Sequence, residues 1–194
     1  MSHVIAICGM MGSGKSTAVA HLLKSTPDCV AFHEDEYNPA LKQSIEEVQA
    51  WWERGAPVGE IDLSTLAAEL QEASENFDGV VLLETQFGRL HPNLRPLIDL
   101  QCWIDVEPDI ALARKIAQLA TQFAESPESA SSVAPLHWLA GFCESYFQTT
   151  RKLFVRQRND VSGQSDIVIG GDRSPADVCE QVRIAVPGLF RKAA

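Results

Sequence analysis

The stretch Gly9-Met10-Met11-Gly12-Ser13-Gly14-Lys15-Ser16, followed at once by Thr17, has the form G-x-x-x-x-G-K-[ST]. That spacing cradles nucleotide phosphates when a buried strand leads into it and a helix leaves it. Both are readable here. His3-Val4-Ile5-Ala6-Ile7-Cys8 is a short apolar run rich in β-branched residues, and Ala18, Val19, Leu22 and Leu23 form a helical stripe just after the loop.

The residue types match the chemistry. Glycines let the backbone curl so that successive N–H groups face an anion without Cβ clashes. The helix that follows adds its N-terminal N–H groups and the positive end of its dipole. The residues expected at the nucleotide are therefore Gly9, Met11, Gly12, Ser13, Gly14, Lys15, Ser16 and Thr17. Lys15 is expected on the β- and γ-phosphates and the Ser16 hydroxyl on Mg²⁺.

Composition sets the outer bounds. The chain has 194 residues, 45% apolar and 22% charged, which suits a single domain spanning 1–194 with a substantial core. Its formal net charge is −10, which argues against nucleic acid or an anionic membrane as partner. A small-molecule acceptor needs only a local cluster of cations. No apolar run is long enough to span a bilayer, and the first residues lead into a strand rather than a targeting segment. The five cysteines are scattered, odd in number and without C-x-x-C spacing. They read as small, mostly buried residues in a reducing cytoplasm. Monomer and homodimer both stay open.

Along the chain, strands are expected at 29–32, 80–84, 100–105 and 166–169, alternating with helices. The second strand runs into His33-Glu34-Asp35-Glu36-Tyr37. An acid beyond a strand's carboxyl end is placed to take the proton of an attacking hydroxyl, and Asp35 is the candidate. His33 reads as a satisfied or exposed histidine rather than a ligand. Residues 38–62 carry the adjacent Trp51 and Trp52 and suit an acceptor subregion, with Trp51 a candidate aromatic surface. Val80-Val81-Leu82-Leu83-Glu84 is a buried strand with a carboxylate at its tip, where Glu84 would serve the Mg²⁺ shell or orient the acceptor. Arg89 and Arg95 follow closely and suit phosphate or a planar polar acceptor.

Pro108 and Asp109 open a helix expected to turn Ile110, Ala113, Ile116, Ala117 and Ala120 inward, with Arg114 and Lys115 on its other faces. Residues 124–135 have no apolar period and read as a flap. A long helix after Pro135 is expected to bury Leu136, Leu139, Ala140, Cys143, Phe147, Thr150 and Phe154. Its second half collects Arg151, Lys152, Arg156 and Arg158. Gly170-Gly171-Asp172-Arg173 leaves the last strand where a nucleotide base would lie.

Taken together, the loop, Asp35-Glu36-Tyr37, the Glu84 strand tip, Ile104-Asp105…Pro108-Asp109-Ile110-Ala111-Leu112-Ala113-Arg114 and Ser165-Asp166-Ile167-Val168-Ile169 resemble the uridine kinase-like group of P-loop kinases. The resemblance implies a three-layer α/β/α fold with a five-stranded parallel sheet ordered 2-3-1-4-5. It also implies ATP- and Mg²⁺-dependent phosphoryl transfer to a hydroxyl of a nucleoside or similar metabolite. Asp35 would activate the acceptor, with Lys15, Glu84 and Arg89 also catalytic. Tyr37, Trp51, Arg89, Arg95 and Arg151 would meet substrate, and Arg114, Gly171 and Arg173 would border the adenine. One departure stands out: no Lys or Arg occurs from Ile116 through Thr150, where such kinases place lid arginines. That leaves two alternatives open beside a nucleoside kinase: a kinase for another small molecule, such as a sugar acid or pantothenate, and a nucleotide-binding regulatory protein.

Overall fold

A computed structural model describes residues 2–39, 45–125 and 134–185. Five parallel strands, β1 (His3–Gly9), β2 (Cys29–His33), β3 (Val80–Thr85), β4 (Leu100–Asp105) and β5 (Ile167–Gly170), form one sheet in the order β2-β3-β1-β4-β5. This is the expected topology. β1 lies at the centre because nearly every residue along it is buried: Val4, Ile5, Ala6, Ile7 and Cys8 are sealed from solvent. A strand covered on both faces needs such an unbroken apolar run.

The helices in chain order are α1 (Lys15–Ser25), α2 (Glu34–Tyr37), α3 (Ile45–Glu53), α4 (Ser64–Asn76), α5 (Pro108–Glu125), α6 (Ala134–Ser145), α7 (Arg151–Asp160) and α8 (Pro175–Ala185). The start of α8 carries a reciprocal cap, with the Asp177 N–H donating to Ser174 Oγ at 3.2 Å and the Ser174 hydroxyl to Asp177 at 2.6 Å. The cysteines are all free; Cys8, Cys102 and Cys179 are buried, while Cys143 is exposed. Among the described residues no helix is long and apolar enough to cross a membrane.

Two helical stripes depart from expectation. Tyr146–Thr150 is a π-turn joining α6 to α7, and its extra residue per turn shifts the phase of the stripe. Tyr146 is consequently the buried aromatic, packed edge-to-face on Phe154, while Phe147 is 73% exposed; Leu136, in the first turn of α6 and ahead of the π-turn, is 66% exposed. In α5 the buried residues are Ala111 and Leu119, whereas Ile110 and the alanines 113, 117 and 120 are exposed. A face made mostly of alanine carries too weak an apolar signal to fix a helix's rotation, and the loop it packs on decides instead. The flap at 124–135 lies mostly outside the described residues.

That loop contact is close. Gly12 has φ +82°, and a Cβ there would sit 2.1 Å from the carbonyl oxygen of Ala111. Gly12→Ala is therefore expected to lose about 2–4 kcal/mol, from left-handed strain and the displaced α5. For a domain of this size the melting temperature should fall by roughly 5–10 °C, measurable by thermal unfolding. An unchanged melting temperature would contradict the contact.

Candidate active site

β1 ends at the loop and α1 starts from it, so loop and helix N-terminus meet at the carboxyl end of the sheet. Three features of the loop fit a bound phosphate chain. The Ser13 hydroxyl is buried with no hydrogen-bond partner. Gly14 has φ +99° and faces open space where its Cβ would be. Lys15 is buried and its ammonium donates to the Met10 carbonyl at 3.2 Å. An orphaned buried hydroxyl and a largely uncompensated buried ammonium both gain from an anion. Met11 is half-buried against the core.

Ser16 and Glu84, both expected near Mg²⁺, are brought together: the Ser16 hydroxyl donates to Glu84 Oε1 at 2.6 Å. The other carboxylate oxygen, Oε2, lies 2.6 Å from His33 Nδ1. His33 and Glu84 are register partners at the ends of β2 and β3, a pairing the sequence did not suggest. Among the described residues no cluster of three or more His, Cys, Asp or Glu could hold a metal alone. Mg²⁺ is usually held by one or two protein oxygens together with substrate phosphates and water, and the Ser16 hydroxyl and Glu84 carboxylate offer oxygens of that kind.

The three acids after β2 have different surroundings. Glu34 is 1% exposed and its carboxylate accepts from the Thr85 hydroxyl, from the Gln86 N–H at 3.0 Å and from Asn38 Nδ2 at 3.1 Å. Burial raises its pKa, and these hydrogen bonds oppose the rise. Glu34 thus ties α2 to the tip of β3. Asp35 is exposed and accepts from Gln86 Nε2 at 3.2 Å, while Gln86 Oε1 accepts from Gln157 Nε2 at 3.2 Å. A chain of amides from α7 therefore orients Asp35, which sequence reasoning missed. Tyr37 joins α2 to α4 by donating its hydroxyl to Glu69, and that hydrogen bond is the main cause of its pKa rising to about 12.

Two cavities are lined by residues of this site or by their hydrogen-bond partners. One, of about 440 Å³, is walled by Trp51, Ile61, Phe87 and Leu153, with Asn38 and Gln86 and the charged Glu47, Arg54 and Glu60 as its polar groups. It lies beside Asp35 through Gln86. Trp51 is held by its indole N–H, which donates to the Pro57 carbonyl at 3.2 Å, and by an edge contact with Trp52. The other cavity, of about 280 Å³, gathers Ser13, Gly14, Thr17, Arg114, Gly171 and Arg173. Arg114 donates to the Gly171 carbonyl at 2.9 Å, joining α5 to the exit of β5.

Arg89 and Arg95 do not belong to this site. The Arg89 guanidinium pairs with Asp166 at 2.8 Å and donates to the carbonyls of Asp99, Ile98 and Gln164. Asp99 and Asp166 immediately precede β4 and β5, so Arg89 anchors the opposite end of the sheet. Arg95 opens a short 3-10 turn, Arg95–Leu97, that leads into that same end of β4. The chain leaves the strand tip and runs back, carrying both cations away.

Of the later cluster, Arg156 donates to the carbonyls of Gly55 and Ala56 at 2.9 and 2.6 Å. Arg158 forks onto Asp105 and Glu107. Arg151 is exposed at the start of α7 and acts electrostatically on Tyr146, as does Asp109. Lys115, assigned to an outer face of α5, is half-buried near the loop. Burial is the main cause of its lowered pKa, opposed by the charge of Asp35 and reinforced by that of Lys15.

Neither a protein-family model nor a curated protein sequence matches the chain. Solved structures do. A tunicamycin resistance protein of Deinococcus radiodurans aligns with a TM-score of 0.55 at 16% identity, covering 100% of both chains. A shikimate kinase from Acinetobacter baumannii, solved with shikimate, gives 0.54 at 15% identity over 98% of this chain and 97% of that one. A sugar kinase from a Janibacter species gives 0.52 at 14% identity over 99% and 100%. The fold shared with these proteins is the α/β fold of P-loop kinases with sheet order 2-3-1-4-5.

Proposed function

We propose that this chain is an ATP- and Mg²⁺-dependent kinase that transfers the γ-phosphoryl group to a hydroxyl of a small metabolite. One observation carries the reading: the exposed carboxylate of Asp35 accepts from Gln86, and Gln86 lines a cavity of about 440 Å³ separate from the one at the phosphate loop. A hydrolase needs only room for water, whereas a second cavity beside a carboxylate suits an acceptor.

The residues divide the work as follows. The loop backbone and Lys15 hold the donor phosphates, and Thr17, Arg114, Gly171 and Arg173 border the rest of the nucleotide. The Ser16 hydroxyl and the Glu84 carboxylate would hold Mg²⁺ and its waters, with His33 fixing the orientation of that carboxylate. Bound there, the ion neutralises charge on the phosphate oxygens. Asp35 accepts the proton of the acceptor hydroxyl as that oxygen attacks phosphorus in line with the departing ADP.

The acceptor cavity supports a narrower choice. Its apolar and aromatic walls suit a molecule with a flat or apolar body and a hydroxyl at one edge, and a nucleoside has that form. The test is ADP release from ATP across nucleosides, sugars, sugar acids, cyclic polyols and pantothenate. One nucleoside should stimulate turnover strongly. Trp51→Ala should then raise the KM for that acceptor by about 10-fold or more, the cost of about one lost stacking contact, with the KM for ATP unchanged. Stimulation by a compact polyol alone would overturn the nucleoside assignment, and tight ATP binding with no acceptor-dependent turnover would favour the regulatory alternative.

A further inference from the structure

Phosphoryl transfer spreads negative charge over three equatorial oxygens, and kinases of this fold need cationic help beyond the loop lysine. The chain holds no Lys or Arg from Ile116 through Thr150, so the help must come from outside that stretch. Most nearby cations are committed elsewhere. Arg114 holds the Gly171 carbonyl, Arg156 the carbonyls of Gly55 and Ala56, and Arg158 the carboxylates of Asp105 and Glu107.

Lys115 differs. Ala111 packs its carbonyl against Gly12, and Lys115 follows four residues later, on the same face of α5. Its side chain is half-buried there, and its ammonium contacts Gln118 Oε1 of its own helix at 3.3 Å. A weak contact with a neutral neighbour is readily exchanged for an anion. The charges of both Lys15 and Asp35 act on its ammonium, in keeping with its place on the half-buried face of α5 that meets the loop.

The geometry points to Lys115 as a catalytic residue, its ammonium contacting the phosphoryl group in flight together with Lys15, an assignment that rests on the kinase reading above. In the step it serves, the bond from the γ-phosphorus to the β–γ bridging oxygen breaks and its electron pair stays on ADP. A bond forms from phosphorus to the acceptor oxygen, and the acceptor's proton passes to Asp35. Lys115 moves no proton; it offsets charge on the equatorial oxygens.

ADP binding with and without aluminium fluoride and Mg²⁺ tests this, because the planar fluoride mimics the group in transit. Wild-type protein should bind ADP more tightly when fluoride is present. Lys115→Met should bind ADP alone within about threefold of wild type but lose about 10²-fold in the fluoride-dependent tightening. Lys115→Arg should recover most of it. Turnover with the stimulating acceptor should show the same order, with kcat falling and the KM for ATP little changed. Full tightening in Lys115→Met overturns the assignment, and loss of it in Arg151→Gln instead transfers the role to Arg151. Wild-type protein that binds no ADP overturns the kinase reading itself, and this assignment with it.

Discussion

Lys15→Met should lower acceptor-dependent ADP release by about 10³-fold or more while leaving the protein folded. The size follows from position. The Lys15 side chain is only 9% exposed at the first turn of α1, in surroundings where a charge is screened far less than in water. Removing one preorganised donor aimed at developing charge costs about 10²–10³ in rate, and Lys15 would also hold the donor phosphates before transfer. Methionine keeps the length and the apolar stem. The structural loss is then the hydrogen bond to the Met10 carbonyl, worth about 1 kcal/mol. Turnover should be read beside a thermal melt. A variant within tenfold of wild-type activity would remove the loop from the chemistry.

Asp35→Asn tests the other side of the transfer. The amide oxygen of asparagine can still accept from Gln86 Nε2, so the orienting contact seen at 3.2 Å survives. What disappears is the capacity to take a proton. The expected result is a fall in kcat of about 10²–10⁴ with the KM for the acceptor little changed. Glu34→Gln, by contrast, should show itself mainly in stability, because Glu34 is buried and engaged with Thr85, Gln86 and Asn38. If Asp35→Asn kept kcat within threefold of wild type, proton transfer would belong to another group.

The contrast between these two neighbouring acids shows where sequence reasoning reaches its limit. Three consecutive carboxylates look alike in a sequence. Only the fold buries Glu34 against the tip of β3 and leaves Asp35 facing Gln86. The turn from β1 into α1 was legible because local geometry demands its glycines, two of which have positive φ. Buried runs alternating with helices announced a parallel sheet, while the order of its strands came only from the resemblance to P-loop kinases. Ser16 and Glu84 were legible because a loop and a strand tip on neighbouring strands must lie together.

Arg89 was misplaced for the opposite reason. It follows a strand tip closely, but its direction is set by Asp99 and Asp166, which lie far along the chain at the beginning of β4 and β5. His33 needed the β2–β3 register before its partner could be named. Lys115 needed the rotation of α5, which an alanine-rich helix leaves poorly marked.

That rotation has a further consequence. Ala111 sits on Gly12 with no room for a methyl group between them, so the first turns of α5 cannot roll without moving the phosphate loop. Residues four apart on a helix are separated by about 6 Å along its axis, so the distance from the loop to Lys115's backbone is set by a rigid rod. A cation carried on a flexible lid must surrender conformational entropy in every catalytic cycle, about 1–2 kcal/mol for each backbone residue that becomes ordered. A cation mounted on α5 has surrendered the backbone share once, at folding, and only its side-chain rotamers remain to be fixed.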